Sequence, residues 1–188
     1  MNSLLSKITS VTSIAVGLAL GMVLAGVLAL VGGSYAHKVV HDQLSPQKIT
    51  FPKTKADGLF PDLTKYAGQT VDSGAKAKAY ADKYINRHLQ EVAGGKTYAE
   101  VSAEAMAKPD DAKLAGQKAT LFQGETLRGL LLSVWGWSIV GTVATLAGIA
   151  LILIGLVLAA LPLAGARQAR RSRSTSAGTA GARTTAVA

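Results

Sequence analysis

The histidines come first in any search for chemistry, because the chain has three of them and no cysteine. His37 and His41 are four residues apart, and Asp42 follows directly. On a helix that spacing puts both rings on one face. Two imidazoles and a carboxylate are donors of the kind that zinc or iron accepts. The pattern lacks the glutamate of an HExxH motif, so a third ligand has to come from another element, with His88 and Glu91 the candidates. The plainer reading leaves these imidazoles among lipid headgroups and solvent. His37 and His41 therefore stand as weak metal candidates, and no cofactor is expected. The missing cysteines exclude disulfides, zinc–thiolate sites, iron–sulfur clusters and thiol nucleophiles.

Other reactive patterns are weaker. There is no GxSxG, and Ser102 has no evident base beside it. Asp110-Asp111 and the Glu100/Glu104 pair read as solvated charges at a helix start and on a helix face. Neither a P-loop nor a dinucleotide-type glycine pattern occurs. Gly124-Glu125-Thr126-Leu127-Arg128-Gly129 reads as a helix start with Arg128 within reach of lipid phosphate, or else as a partner-binding elbow. No catalytic residue is assigned.

The elements that would carry these residues are dominated by two uncharged runs, from Ile8 to Ala36 and from Gly129 to Ala166. A membrane span needs ~20 predominantly apolar residues, and both runs exceed that. Hydrophobic residues make up 49% of the 188-residue chain, yet aromatics are only 5%. The apolar content is thus Ala, Leu, Val, Ile and Gly, and one small soluble core could not hide it. The expected fold is an all-α membrane protein. Two transmembrane helices flank a small, mostly α-helical extracytoplasmic domain with an irregular, proline-containing lead-in. The expected boundaries are a flank over 1–10, helix one over 11–36 and an external segment over 37–128. Helix two follows over 129–164 (membrane core 138–163), then a disordered basic tail over 165–188. Helix one is read as a signal anchor, since Val11–Gly33 exceeds the ~7–15 residues of a signal-peptide core. Cleavage after Ser34-Tyr35-Ala36 is the competing reading.

Small residues recur in both spans. Ser13, Gly17, Gly21, Ala25 and Ala29 follow a four-residue spacing, while Gly141, Gly148 and Gly155 recur every seven, near Ala144 and Ala159. Such positions let helices approach closely in lipid. They are the expected packing faces, against each other or a second copy. Trp135 and Trp137 mark the outer interface, and Pro162 is expected to kink or end helix two. Neither span holds an ionisable group, which argues against a pump or transporter acting alone.

Prolines at 46, 52 and 61 make 44–65 extended or irregular, with at most a short strand over 48–51. Apolar positions from Val71 to Val92 then follow a helical period. Gly94-Gly95 supplies a stop, and Thr97 with Glu100 has capping-box spacing. A helix is expected from Tyr98 to about Lys108, and a further short one from Asp110-Asp111 to about Ala119. A core of this size is marginal by itself.

The net charge of +9 divides into one positive charge from Lys7, three from the external segment (14 Lys/Arg less 11 Asp/Glu) and five from the tail. Arg167, Arg170, Arg171 and Arg173 lie just beyond helix two. Basic residues next to a span favour the cytoplasmic side, so both termini are expected inside and the central segment outside an inner membrane. With Arg128, these arginines are the expected lipid-headgroup contacts, each contributing roughly 1 kcal/mol near an anionic leaflet. Nucleic acid is not expected, since no aromatic residue is interleaved with the tail arginines.

Several strings carry a resemblance. They include Ile49-Thr50-Phe51-Pro52, Tyr66-Ala67-Gly68-Gln69, Tyr80-Ala81-Asp82, His88-Leu89, the stretch Gly95 to Ser102 and the Gly124 to Gly129 string. Over roughly 10–165 the chain resembles small two-helix membrane proteins of high-GC Gram-positive bacteria. Some of these carry the label of aromatic ring-opening dioxygenase. Such a site needs an iron triad inside a large fold, and this chain has neither. The resemblance implies a location and an architecture, with no activity and no residue roles to carry over. The expected function is a non-enzymatic envelope interaction or scaffold protein. Its partners would be the bilayer and either a second copy or another membrane protein. The alternatives are an accessory subunit of a transport or respiratory complex and an extracytoplasmic metal-dependent enzyme.

Overall fold

The computed structural model describes residues 2–184, with side-chain surroundings described for 13–162. The chain runs through α1 (Asn2–Leu44), 3-10 turns at Ser45–Gln47 and Pro61–Tyr66, and α2 (Gly74–Ala79). A π-helical segment (Tyr80–Ile85), α3 (Asn86–Ala93), α4 (Tyr98–Ala107) and α5 (Ala112–Thr184) complete it. Among the described residues there is no strand, only an isolated antiparallel bridge between Thr50 and Thr70. Two helices are long and apolar enough to cross a membrane, one within Ser13–Gln47 and one within Ala112–Pro162. Only 11% of the most apolar window of each is buried. A core helix of a soluble protein would be mostly buried, and these two windows are not.

The chain divides into two compact units. The first joins α1 up to Val31 with α5 from Ala144. Here the helices pack antiparallel through small residues. A Cβ on Gly26 would lie 2.7 Å from the Gly148 carbonyl oxygen, and one on Gly148 would lie 2.7 Å from that of Gly26. One heptad away, a Cβ on Gly155 would meet the Ala19 carbonyl at 2.9 Å. Backbone therefore lies on backbone, and many weak dispersion contacts add up along this seam.

The second unit runs from Gly32 to Val143. Its core is built on Phe51, Leu63, Val71, Val101 and Leu121, all at most 2% exposed. The proline-rich stretch supplies Phe51 and Leu63, so it is core-forming. Phe51 N–H donates to the Gln69 carbonyl (3.0 Å) and Val71 N–H to that of Ile49 (2.8 Å), which joins the two ends of the stretch. The α2–π–α3 run occupies the expected helical region and ends at Gly94, whose φ of 60° few side chains tolerate. α4 begins with a complete capping box. Thr97 N–H donates to the Glu100 carboxylate at 2.7 Å, and Glu100 N–H donates to Thr97 Oγ1 at 3.3 Å. The bonds that the Glu100 carboxylate accepts from Thr97 N–H and from Thr97 Oγ1 (2.8 Å) hold this acid below its usual range.

The structure differs from expectation along α5. Asp111 caps its start, its Oδ1 accepting from Lys113 and Leu114 N–H at 3.0 and 3.1 Å. The helix does not stop at Ala119 but continues through Gly124 to Thr184. A lone glycine costs only about 1 kcal/mol in a helix, and Gly124 has a packing role. A Cβ there would lie 2.3 Å from Leu89 Cδ2, a side chain only 6% exposed. Nor does α5 stop at Pro162 or give way to a disordered tail at 165. Ala and Arg, frequent beyond Gly165, are strong helix formers.

Candidate functional site

The structure does not gather the two weak metal candidates into a ligand set. His37 packs against Gly141, where a Cβ would meet His37 Cδ2 at 3.3 Å and the Gly33 carbonyl at 3.1 Å. Its Nε2 is 3.4 Å from Thr142 Oγ1. His41 faces Ser45 Oγ (3.3 Å) and Asp42 Oδ1 (3.5 Å), and Asp42 is also ion-paired with Lys38. His88 lies 3.5 Å from Glu91 and has its ring against Tyr84 and Phe60. Among the described residues, no group of three His, Asp or Glu is placed to hold a metal ion.

The seven-residue pattern of helix two is at a helix contact. Within the first unit, Val23 seats on Gly155 and Leu30 on Gly148, with Ile152 answering on Gly26. Within the second unit, His37 seats on Gly141 in the same way. Side chains seven apart on α1 thus fill glycine sockets seven apart on α5. The four-residue stripe on α1 is not the face that meets α5. Gly17 and Gly21 have nothing within 4 Å of a Cβ position, and Ser13 and Ala25 are exposed. The matching residues are instead Ala19, Gly26 and Gly33, all buried. Their seven-residue spacing was the available signal. A step of four advances about 40° around a helix of 3.6 residues per turn. The stripe from Ser13 to Ala29 therefore winds away from any one neighbour, whereas a heptad drifts only ~20°.

The second unit concentrates its aromatic residues and charges. Phe51 stacks on Tyr66 and meets Tyr80 edge-on, each at 5.0 Å. Tyr80, Tyr84 and His88 then follow along one face, with ring centroids 4.8 and 4.6 Å apart. The π-helical segment carries Tyr80 and Tyr84, and π-bulges are frequent at functional positions. Burial pushes the Tyr80 phenol up to about 12. Beside this array, Arg87 grips Asp62 with two bonds of 2.6 and 3.0 Å, and Lys83 approaches at 3.2 Å. The guanidinium holds the Asp62 acid down to about 2.

Arg128 is turned into the unit. It pairs with Glu125 at 3.1 Å and Asp82 at 3.5 Å, and Asp82 also takes Lys78 at 2.5 Å. Its Nε is buried without a hydrogen-bond partner. Lys78 in turn sits over the Trp135 ring at 4.5 Å. Arg128 thus ties α5 to the π-helical segment while its side chain stays 28% exposed. The side chains of Arg167, Arg170, Arg171 and Arg173 lie outside the described residues.

Two openings in this unit are largely apolar. One, of about 730 Å³, lies between α4 and the start of α5, beside Tyr98, Met106, Pro109 and Phe122. Met106 and Phe122 there are 69% and 58% exposed. The other, of about 690 Å³, lies between the end of α1 and residues 127–137 of α5. No protein-family model, no curated protein and no solved structure matches the chain.

Proposed function

We propose that this chain is an integral protein of the inner membrane, with both termini cytoplasmic and 37–128 extracytoplasmic. In this reading it serves as a non-enzymatic interaction or scaffold protein. The observation that carries the membrane reading is the exposure of two long apolar helices whose most apolar windows are only 11% buried. Lipid is the solvent that accepts such surfaces. The glycine sockets fix α1 on α5, and the external unit is tied together by ion pairs and by tyrosines packed against its aliphatic core. That arrangement suits presentation of a surface more than turnover of a substrate. Met106 and Phe122, both exposed and both lining one opening, are what an interaction surface displays.

Cross-linking in intact membranes, followed by co-purification in mild detergent, tests this function. A defined partner or a second copy retained with the wild type, and lost on Met106→Glu with Phe122→Glu, is the expected result. A strictly monomeric species without any partner would refute the scaffold reading.

A further inference from the structure

We propose that the groove between the end of α1 and the outer part of α5 takes up one acyl chain of a membrane lipid. This rests on the membrane reading above and names the lipid contact that reading implies. Leu44 (4% exposed) and Leu131 (2%) line its interior. Leu130 and Trp137, 62% and 64% exposed, also line it and face outward. Leu127, Leu130, Val134 and Trp137 recur at steps of three and four, so they form one stripe along α5.

Three observations point to lipid as the occupant. The exposed Val140 stands one turn beyond Trp137 on the outer edge of the stripe, so along α5 an apolar path joins the groove to the apolar span. Trp137 has the preference of an interfacial anchor. From Trp137 to Leu127 is ten residues, about 15 Å of helix, whereas the headgroup layer beyond one face of the hydrocarbon is only about 5–8 Å deep. The far part of the stripe would therefore stand in water unless something apolar followed it outward. The opening of about 690 Å³ falls within the 300–1,000 Å³ common for ligand sites. Its polar rim is Asp42, Gln43, Gln47 and Ser133, with no lysine or arginine in the lining. That rim does not select an anionic headgroup, so a neutral or zwitterionic lipid fits best.

The test reconstitutes the full chain in vesicles of zwitterionic phospholipid that carries a photoactivatable group near the end of one acyl chain. After irradiation the adducts are mapped by peptide mass. The expected result is labelling within 42–49 and 127–137 as well as along the spans. Ser133→Trp, which fills the mouth, and Leu130→Gln, which makes it polar, should each lower groove labelling roughly tenfold and leave span labelling unchanged. Both positions are exposed, so either variant reports if the other fails to fold. Labelling confined to 139–161, or groove labelling unmoved by both variants, would overturn the proposal and leave the membrane reading intact. Groove peptides cross-linked to a second copy would also overturn it. No labelling of the spans at all would refute the membrane reading itself.

Discussion

Replacing Gly148 by alanine tests the helix contact at its tightest point. The added Cβ would lie 2.7 Å from the Gly26 carbonyl and 3.0 Å from the Leu30 nitrogen. Both neighbours are backbone, so no side chain can turn aside. Ordinary contact begins near 3.4 Å, and the helices must separate by the difference, about 0.7 Å. A gap of 0.5–1 Å forfeits roughly a quarter to a half of each dispersion well along the seam, and overpacking typically costs about 1–3 kcal/mol. Against this stands a helix-propensity gain of up to about 1 kcal/mol for Gly→Ala. The net expectation is a loss of about 0–2 kcal/mol. Gly17→Ala gains the same propensity and meets nothing within 4 Å, so it should be neutral or stabilising by up to about 1 kcal/mol. The two variants should thus differ by about 1–3 kcal/mol. Unfolding by titration of a denaturing detergent into mild-detergent micelles, followed by far-UV circular dichroism, measures that difference. Adding Gly26→Ala to Gly148→Ala should cost less than either change alone, because one separation accommodates both. Equal stability of the Gly17 and Gly148 variants would refute the reasoning.

Further outcomes follow from the unit that runs from Gly32 to Val143. Leu63→Ala removes a side chain at 0% exposure and should destabilise this unit by about 2–5 kcal/mol, read by loss of near-UV circular dichroism at lower denaturant. Tyrosinate absorbance should show one phenol titrating near pH 12, absent in Tyr80→Phe. The folded value is raised, so the associated stability is present below about pH 10 and is lost as pH rises through about 12. Asp62 runs the other way. Its folded value is lowered from 3.8 to about 2, so its contribution is present above about pH 4 and is lost as pH falls toward 2. The wild type should lose stability more steeply than Asp62→Asn across that acid window, and parallel pH profiles would contradict the role assigned to Arg87.

Much of the architecture was legible because it depends on local rules. The uncharged runs, the capping box at Thr97 and the stop at Gly94 each follow from a few adjacent residues. The contact face on α1 was harder, since two spacings of small residues overlap there and only the seven-residue one keeps to one side. The continuity of α5 was hidden by Gly124, which reads as a break until Leu89 is seen resting on it. The tie of Arg128 to Asp82 was hidden, because Asp82 is 46 residues away in sequence and no local pattern brings the two together. The role of His37 depended likewise on a glycine, Gly141, from the other long helix.

The central claim is that the chain crosses the membrane twice with its middle outside. Because the chain has no cysteine, single cysteines give a clean readout. Lys55→Cys lies in the central segment and Ser172→Cys in the tail. Intact spheroplasts treated with a membrane-impermeant maleimide should label the first directly and the second only after permeabilisation. Labelling of Ser172→Cys in intact spheroplasts, or protection of Lys55→Cys, would contradict the account.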